Sequence, residues 1–334
     1  MIKKFLHHHP VHKKIAPLFD VFFLLRPTIF FAVWIMVVVG IISAEHSIHM
    51  SSLWNTEFSW KIFFVFLGLT SVISSACITK QIANINNGND NQELSLLGKH
   101  IPPEQGESIA RLLLISGGLI SIISSWITAI PVLCIYFLWG IENRHTGFEW
   151  KNISIAGWLA NSCVGILLFI IGWMLAMKHH HDNIILPLSV NTIYYMLPYI
   201  LSFSAISLLT YFLEKQSNVD LGTPKIPFVL ENSMSLMLSL FMVSVAFYIS
   251  LKIIDPIAST AILVSLPFFI FAAFRRLNKD ILRAIRYPIF IVNFFALPFY
   301  PWLVVPLLYT YYLSKYYYWH RFNLHYPTFL VDND

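Results

Sequence analysis

The chain has 334 residues, 57% of them hydrophobic and only 12% charged, with a mean hydropathy of +0.67 and a formal net charge of +5. A soluble domain carries about 25% charged residues. That deficit, with long apolar runs recurring from end to end, excludes a separate soluble domain and predicts one all-α, polytopic membrane bundle over 1–334. In such a chain the cationic excess marks loops on the cytoplasmic side, not a nucleic-acid surface.

A basic, His-rich arm (1–18) precedes the first apolar run and has no cleavable signal pattern. About nine stretches then approach the roughly 20 residues that a helix needs to cross a bilayer. In chain order they are 19–44, 61–79, 109–126, 130–141, 153–177, 186–212, 228–251, 257–274 and 281–317. The fourth is short, opens beside Pro131 and forms a tight hairpin with the third. The ninth holds Pro298, Pro301 and Pro306 and predicts either one broken helix or two short ones. The tyrosines near the end, Tyr309 to Tyr318, with Trp319, read as an interfacial belt.

Orientation follows from Lys and Arg. The arm and the start of the first span carry Lys3, Lys4, Lys13, Lys14 and Arg26; the loop between the eighth and ninth spans carries Arg275, Arg276, Lys279, Arg283 and Arg286. Eight spans between these clusters put both on the cytoplasmic side, with the N-terminus inside. The loops holding Lys99, Lys151 and Glu214 then face the same way.

Two polar runs end apolar spans on that face. One is Lys80-Gln81-Ile82-Ala83-Asn84-Ile85-Asn86-Asn87-Gly88-Asn89-Asp90-Asn91; the other is Glu214-Lys215-Gln216-Ser217-Asn218-Val219-Asp220. Such hydrogen-bonding capacity at a membrane helix end is costly unless it lines a cavity or a water interface. Two readings are open for the first run. It is either a headgroup site or a solvated loop, since Asn-Asn-Gly-Asn-Asp is turn chemistry. Glu214 likewise either lines a cavity or ends a helix beside Lys215. Asn161, inside the fifth span, is either a pocket residue or a polar contact between helices.

Several stretches, in order and spacing, resemble the UbiA-type intramembrane prenyltransferase superfamily across most of the chain. The first span opens with Leu25-Arg26-Pro27 and continues to Trp34 and Gly40. Lys80-Gln81-Ile82, Asn91, Leu94, Leu96 and Leu97 are similar to the family's first aspartate motif, and Gly98-Lys99-His100-Ile101 follows it. Leu159-Ala160-Asn161, Gly165 and Gly172-Trp173 resemble the family's fifth helix. Thr210, Glu214, Asn218, Gly222 and Ile226-Pro227 resemble its second motif.

The resemblance implies transfer of an isoprenyl group from a prenyl diphosphate to an aromatic or lipid-like acceptor. It also implies Mg2+ held by the two motifs. Magnesium prefers oxygen ligands, usually carboxylates and phosphates, and neutralises the charge of the leaving diphosphate. On this alignment the first motif's aspartate positions hold Asn84 and Gly88 and the second's hold Glu214 and Asn218. One expected carboxylate of four survives, with Asp90 and Asp220 nearby. The expected metal set is therefore Glu214, Asn84, Asp90 and Asn218. The expected substrate contacts are Arg26, Asn84, Lys99, Lys151, Asn161, Glu214 and Asn218, with Arg26, Lys99 and Lys151 as phosphate contacts. No residue is assigned as catalytic. Tyr194, Tyr195 and Phe30 are candidates to shield an allylic cation. The missing carboxylates keep a second reading open, a non-catalytic relative that binds an isoprenoid, another lipid or a partner protein. A secondary transporter is disfavoured, because paired broken helices are not evident.

Other features carry less. Cys77, Cys134 and Cys163 lack metal-ligand spacing and read as small apolar residues. The runs His7-His8-His9 and His179-His180-His181-Asp182 put consecutive residues on different helix faces, so a shared metal would need a loop.

Overall fold

The structure is a computed structural model that describes residues 10–48, 59–86, 96–98, 100–140, 156–180, 189–220 and 232–322. At some helix ends, among them 10–16, 84 and 214–220, it describes the backbone alone. Among the described residues, 92% are helical and none lies in a strand. The helices are α1 (Pro10–Leu24), α2 (Phe30–Ile48), α3 (Trp60–Asn86), α4 (Pro103–Ser124), α5 (Trp126–Gly140) and α6 (Ala156–His180). They continue with α7 (Val190–Asp220), α8 (Asn232–Ile253), α9 (Pro256–Arg275), α10 (Asn278–Ala296) and α11 (Val304–Phe322). Seven are long and apolar enough to cross a membrane: α3, α4, α6, α7, α8, α9 and the stretch Pro27–Ser47 that contains α2. α5, with 15 residues, is the short apolar one.

Three sequence boundaries are corrected, and the choice left open at the ninth stretch is settled. The first span is not continuous over 19–44: α1 stops at Leu24 and a 3-10 turn, Pro27–Ile29, leads into α2. Proline at 27 disfavours the right-handed helical conformation at 26, and Arg26 takes the left-handed one instead, at φ 54°. The third and fourth spans break at Ser125, with extended backbone (φ −165°), not at Pro131, which lies inside α5. The polar runs do not simply follow their spans. α3 runs on to Asn86 and α7 to Asp220, so each run begins within helix. The proline-rich last region is two helices, α10 and α11, separated by the 3-10 turn Pro301–Leu303.

The helices gather into two compact units. The first holds α1, α3, α4, α5 and α11. Its α3 and α4 meet through small residues: a Cβ added to Gly117 would lie 2.8 Å from the Gly68 carbonyl oxygen and 2.8 Å from Ser71 Cβ. That close approach lets Ser75 donate to the Ala110 carbonyl at 2.6 Å. The outer face of α4 shows Leu112, Ile115 and Ile123, a lipid-facing composition.

The second unit holds α2 from Ala32 onward and α6 to α10. α2 and α6 cross where Gly40 and Gly172 remove side chains, and a Cβ on either would run into backbone of the other helix. Gly165 makes room in the same way for the Phe203 ring of α7. α6 is also tied to α7 by Trp158 Nε1, which donates to the Ser204 carbonyl at 2.9 Å, and by the Ser204 hydroxyl donating to Ser162 at 2.8 Å. Asp255 caps α9, accepting from the amides of Ile257 at 3.0 Å and Ala258 at 2.9 Å.

Candidate functional site

In the first unit, several sequence motifs converge on one corner. The end of α1 leaves carbonyls without intrahelical partners. Gln81, in the penultimate turn of α3, donates its side-chain amide to the Leu24 carbonyl at 3.1 Å and to Cys77 at 3.3 Å. It thereby fixes the Leu25-Arg26-Pro27 break against the start of the first polar run, and Arg26 is left exposed. The turn after that run closes back on the same corner. Gly98 sits at φ 82°, a conformation that costs glycine nothing. Its amide donates to the Ile101 carbonyl at 2.9 Å, and His100 and Ile101 both donate to Leu96. Leu96, Leu97 and Ile101 are buried against Phe23, Leu24 and Ile78.

This corner is sealed by a contact between helices remote in sequence. Asp20 of α1 is buried, accepts from the Tyr317 hydroxyl of α11, and pairs with Arg321 at 2.9 Å. The Phe23 and Tyr317 rings stack with centroids 4.0 Å apart.

In the second unit, Asn161 is half-buried on α6, next to the Ser162–Ser204 hydrogen bond. Glu214 and Asn218 lie in the last two turns of α7. Tyr194 and Tyr195 are in the first two turns of that helix. Nineteen residues separate Tyr195 from Glu214, about 28 Å at 1.5 Å per residue. That distance removes Tyr194 and Tyr195 as shields for a cation formed beside Glu214. Phe30, a residue of the first unit, is buried in the first turn of α2.

An apolar cleft of about 50 Å³ opens among Met36, Tyr199, Phe203, Ile206, Val243 and Phe269. That volume holds roughly one or two water-sized groups.

Of the expected site residues, Arg26 and Asn161 are described in full. Asn84, Glu214 and Asn218 are placed on helix ends by their backbone. Asp90, Lys99 and Lys151 lie outside the described residues, as do Gly88, Gly222 and Ile226-Pro227. Among the described residues, no three His, Cys, Asp or Glu side chains group as metal ligands.

Sequence reasoning missed three buried carboxylates, Asp20, Asp255 and Asp280. One local signal was available: Asp255-Pro256, an acidic N-cap before a proline at the first helical position. Asp255 also accepts from the Tyr199 hydroxyl at 2.9 Å, and burial pushes its carboxyl above the ordinary range.

Among solved structures, the chain is similar to a digeranylgeranylglyceryl phosphate synthase described in membranes. The TM-score is 0.57, with 85% of this chain and 97% of that chain covered. The fold is of the UbiA type. At 16% sequence identity the likeness is one of fold. No protein-family model matches the sequence, and no curated protein does. Within the UbiA-type fold, the Gly40–Gly172 crossing and the Gln81 corner account physically for motifs that the sequence resemblance rested on.

Proposed function

We propose that this chain is an integral membrane prenyltransferase that moves an isoprenyl group from a prenyl diphosphate to an aromatic or lipid-like acceptor. The observation that carries this reading is the backbone likeness to a digeranylgeranylglyceryl phosphate synthase over 85% of the chain. The Gln81 corner supports it, because it joins Leu25-Arg26-Pro27 to the first polar run by a direct hydrogen bond. Arg26, Lys99 and Lys151 are the proposed contacts to the diphosphate, whose departure needs positive charge nearby. Asn84, Asn161, Glu214 and Asn218 are the proposed polar contacts to the substrate headgroup.

Magnesium fits this donor set poorly. The four aligned positions supply one carboxylate, two amides and a glycine, and an amide brings no charge to a hard cation. Asp90 and Asp220 are the nearest further carboxylates in the sequence, each two positions from an aligned one. The same replacements favour a second reading, a UbiA-type protein that binds a prenyl lipid without turning it over.

Three measurements on the full chain in membranes separate these readings: prenyl diphosphate binding, diphosphate release, and transfer to an added acceptor, each with and without magnesium. Release and transfer support the enzyme. Tight binding without release supports the non-catalytic reading. The combined variant Asn84→Asp, Gly88→Asp, Asn218→Asp should gain magnesium-dependent binding, because each carboxylate adds attraction that is large where water is excluded. If neither native protein nor variant binds a prenyl diphosphate, the proposed function is wrong.

A further inference from the structure

The turn between α9 and α10 holds a second polar feature, separate from the candidate site. Residues 275–286 carry five cations, Arg275, Arg276, Lys279, Arg283 and Arg286, against one carboxylate, Asp280. Asp280 is buried and lies between two arginines: Arg283 donates to Oδ1 at 3.0 Å, and Arg275 Nε lies 3.3 Å from Oδ2, an ion pair without a hydrogen bond. The two guanidiniums around one carboxylate leave a net positive charge. They also border a cleft of about 300 Å³, lined by Phe268, Phe271, Arg275, Asp280, Arg283 and Tyr287. Tyr287 packs edge-on against Phe268, with centroids 4.7 Å apart. Asp280 thus acts as a brace. It holds two forked donors at the cleft before any ligand arrives, which lowers the ordering cost of binding an anion.

The place of the cleft along α9 identifies its occupant. α9 is an apolar helix of 20 residues that ends at Arg275. At 1.5 Å per residue it is about 30 Å long, the thickness of the hydrocarbon core. Arg275 therefore stands at the level of the lipid phosphates. Beside it Phe271 is 49% exposed and Phe274 70%, an apolar flank where an acyl chain can lie. We propose that the Arg275–Asp280–Arg283 cleft binds the phosphate of an anionic membrane phospholipid, with the lipid's tail along Phe271 and Phe274.

Native mass spectrometry of the full chain, titrated with phosphatidylglycerol or phosphatidylcholine, tests this. The native protein should bind phosphatidylglycerol in preference. The double variant Arg275→Gln, Arg283→Gln should lose that preference, with phosphatidylglycerol affinity falling roughly 10- to 30-fold at low salt. Asp280→Asn keeps both guanidiniums but removes the charge that braces them, so it should bind phosphatidylglycerol less tightly than native. It also keeps the test decisive if the double variant fails to fold. Arg111→Gln, which alters an exposed cation on α4 paired to Glu107, should change nothing. Equal binding of the two lipids by the native protein overturns the proposal. So does an Asp280→Asn variant that binds as tightly as native or more tightly. Displacement of phosphatidylglycerol by inorganic phosphate would show a free-phosphate site and overturn the lipid assignment.

Discussion

Replacing Gly172 by alanine tests the α2–α6 crossing with a single methyl group. The added Cβ would lie 2.8 Å from the Val37 carbonyl carbon and 2.9 Å from the Ile41 amide nitrogen, and closer still to the Val37 oxygen. All three are backbone atoms, so no side chain can rotate away. Ordinary contact starts at 3.4 Å, and the helices must part by on the order of 1 Å, which forfeits much of the dispersion energy along the seam. Overpacking of this kind costs about 3 kcal/mol, and alanine's better helix propensity returns about 1 kcal/mol. The net loss is about 2 kcal/mol, or roughly 4 °C in Tm for a chain of this size. Thermal unfolding in detergent measures it, with Gly118→Ala as the control. There the nearest atom to the new Cβ is Leu133 Cδ2 at 4.0 Å, so the propensity gain should appear unopposed. A Gly172→Ala protein as stable as the Gly118→Ala protein would refute the crossing.

Asp20→Ala leaves Tyr317 and Arg321 facing a buried gap and should cost about 3 kcal/mol; a loss under about 0.5 kcal/mol in chemical unfolding would count against the seal. Gln81→Leu removes the donor to the Leu24 carbonyl. It should cost about 1–2 kcal/mol and speed hydrogen exchange of the Leu25 and Arg26 amides, whereas unchanged exchange would show that the corner stands without it. Burial lifts the Asp255 carboxyl above its ordinary value of 3.8, so the folded state binds that proton more tightly than the unfolded one. The resulting stabilisation is complete below 3.8 and fades as pH rises through the raised value. Native Tm should fall across that window relative to Asp255→Asn, and parallel curves for the two proteins would refute the assignment.

The membrane class and most spans were legible because 20-residue apolar runs have few alternatives. Boundaries were legible only where the chemistry was local. Pro298, Pro301 and Pro306 announced the break between α10 and α11. Pro27 announced one too, but the apolar residues on both sides hid it, and a left-handed Arg26 has no sequence signature. Polar helix ends were visible as composition, yet composition did not say that α3 and α7 remain helical into them. Gln81 was quotable as part of a motif, but its partner Leu24 lies 57 positions away, beyond any periodicity. The buried Asp20 was invisible for the same reason. The Asp280 brace combines a local pair with a cleft that only the α9–α10 turn creates.

The Asp20–Tyr317 bond joins residues 297 positions apart, and that separation sets a schedule for synthesis. A ribosome adding 5–20 residues per second needs roughly 15–60 s to make the intervening chain. Throughout that interval α1 carries a carboxylate whose partners do not yet exist, so it has to wait in water or at the headgroup layer. The helix that is made first in the described chain is therefore among the last to be locked. Closure of the corner that holds Leu24, Gln81 and the Gly98 turn becomes a late event, timed by the arrival of α11.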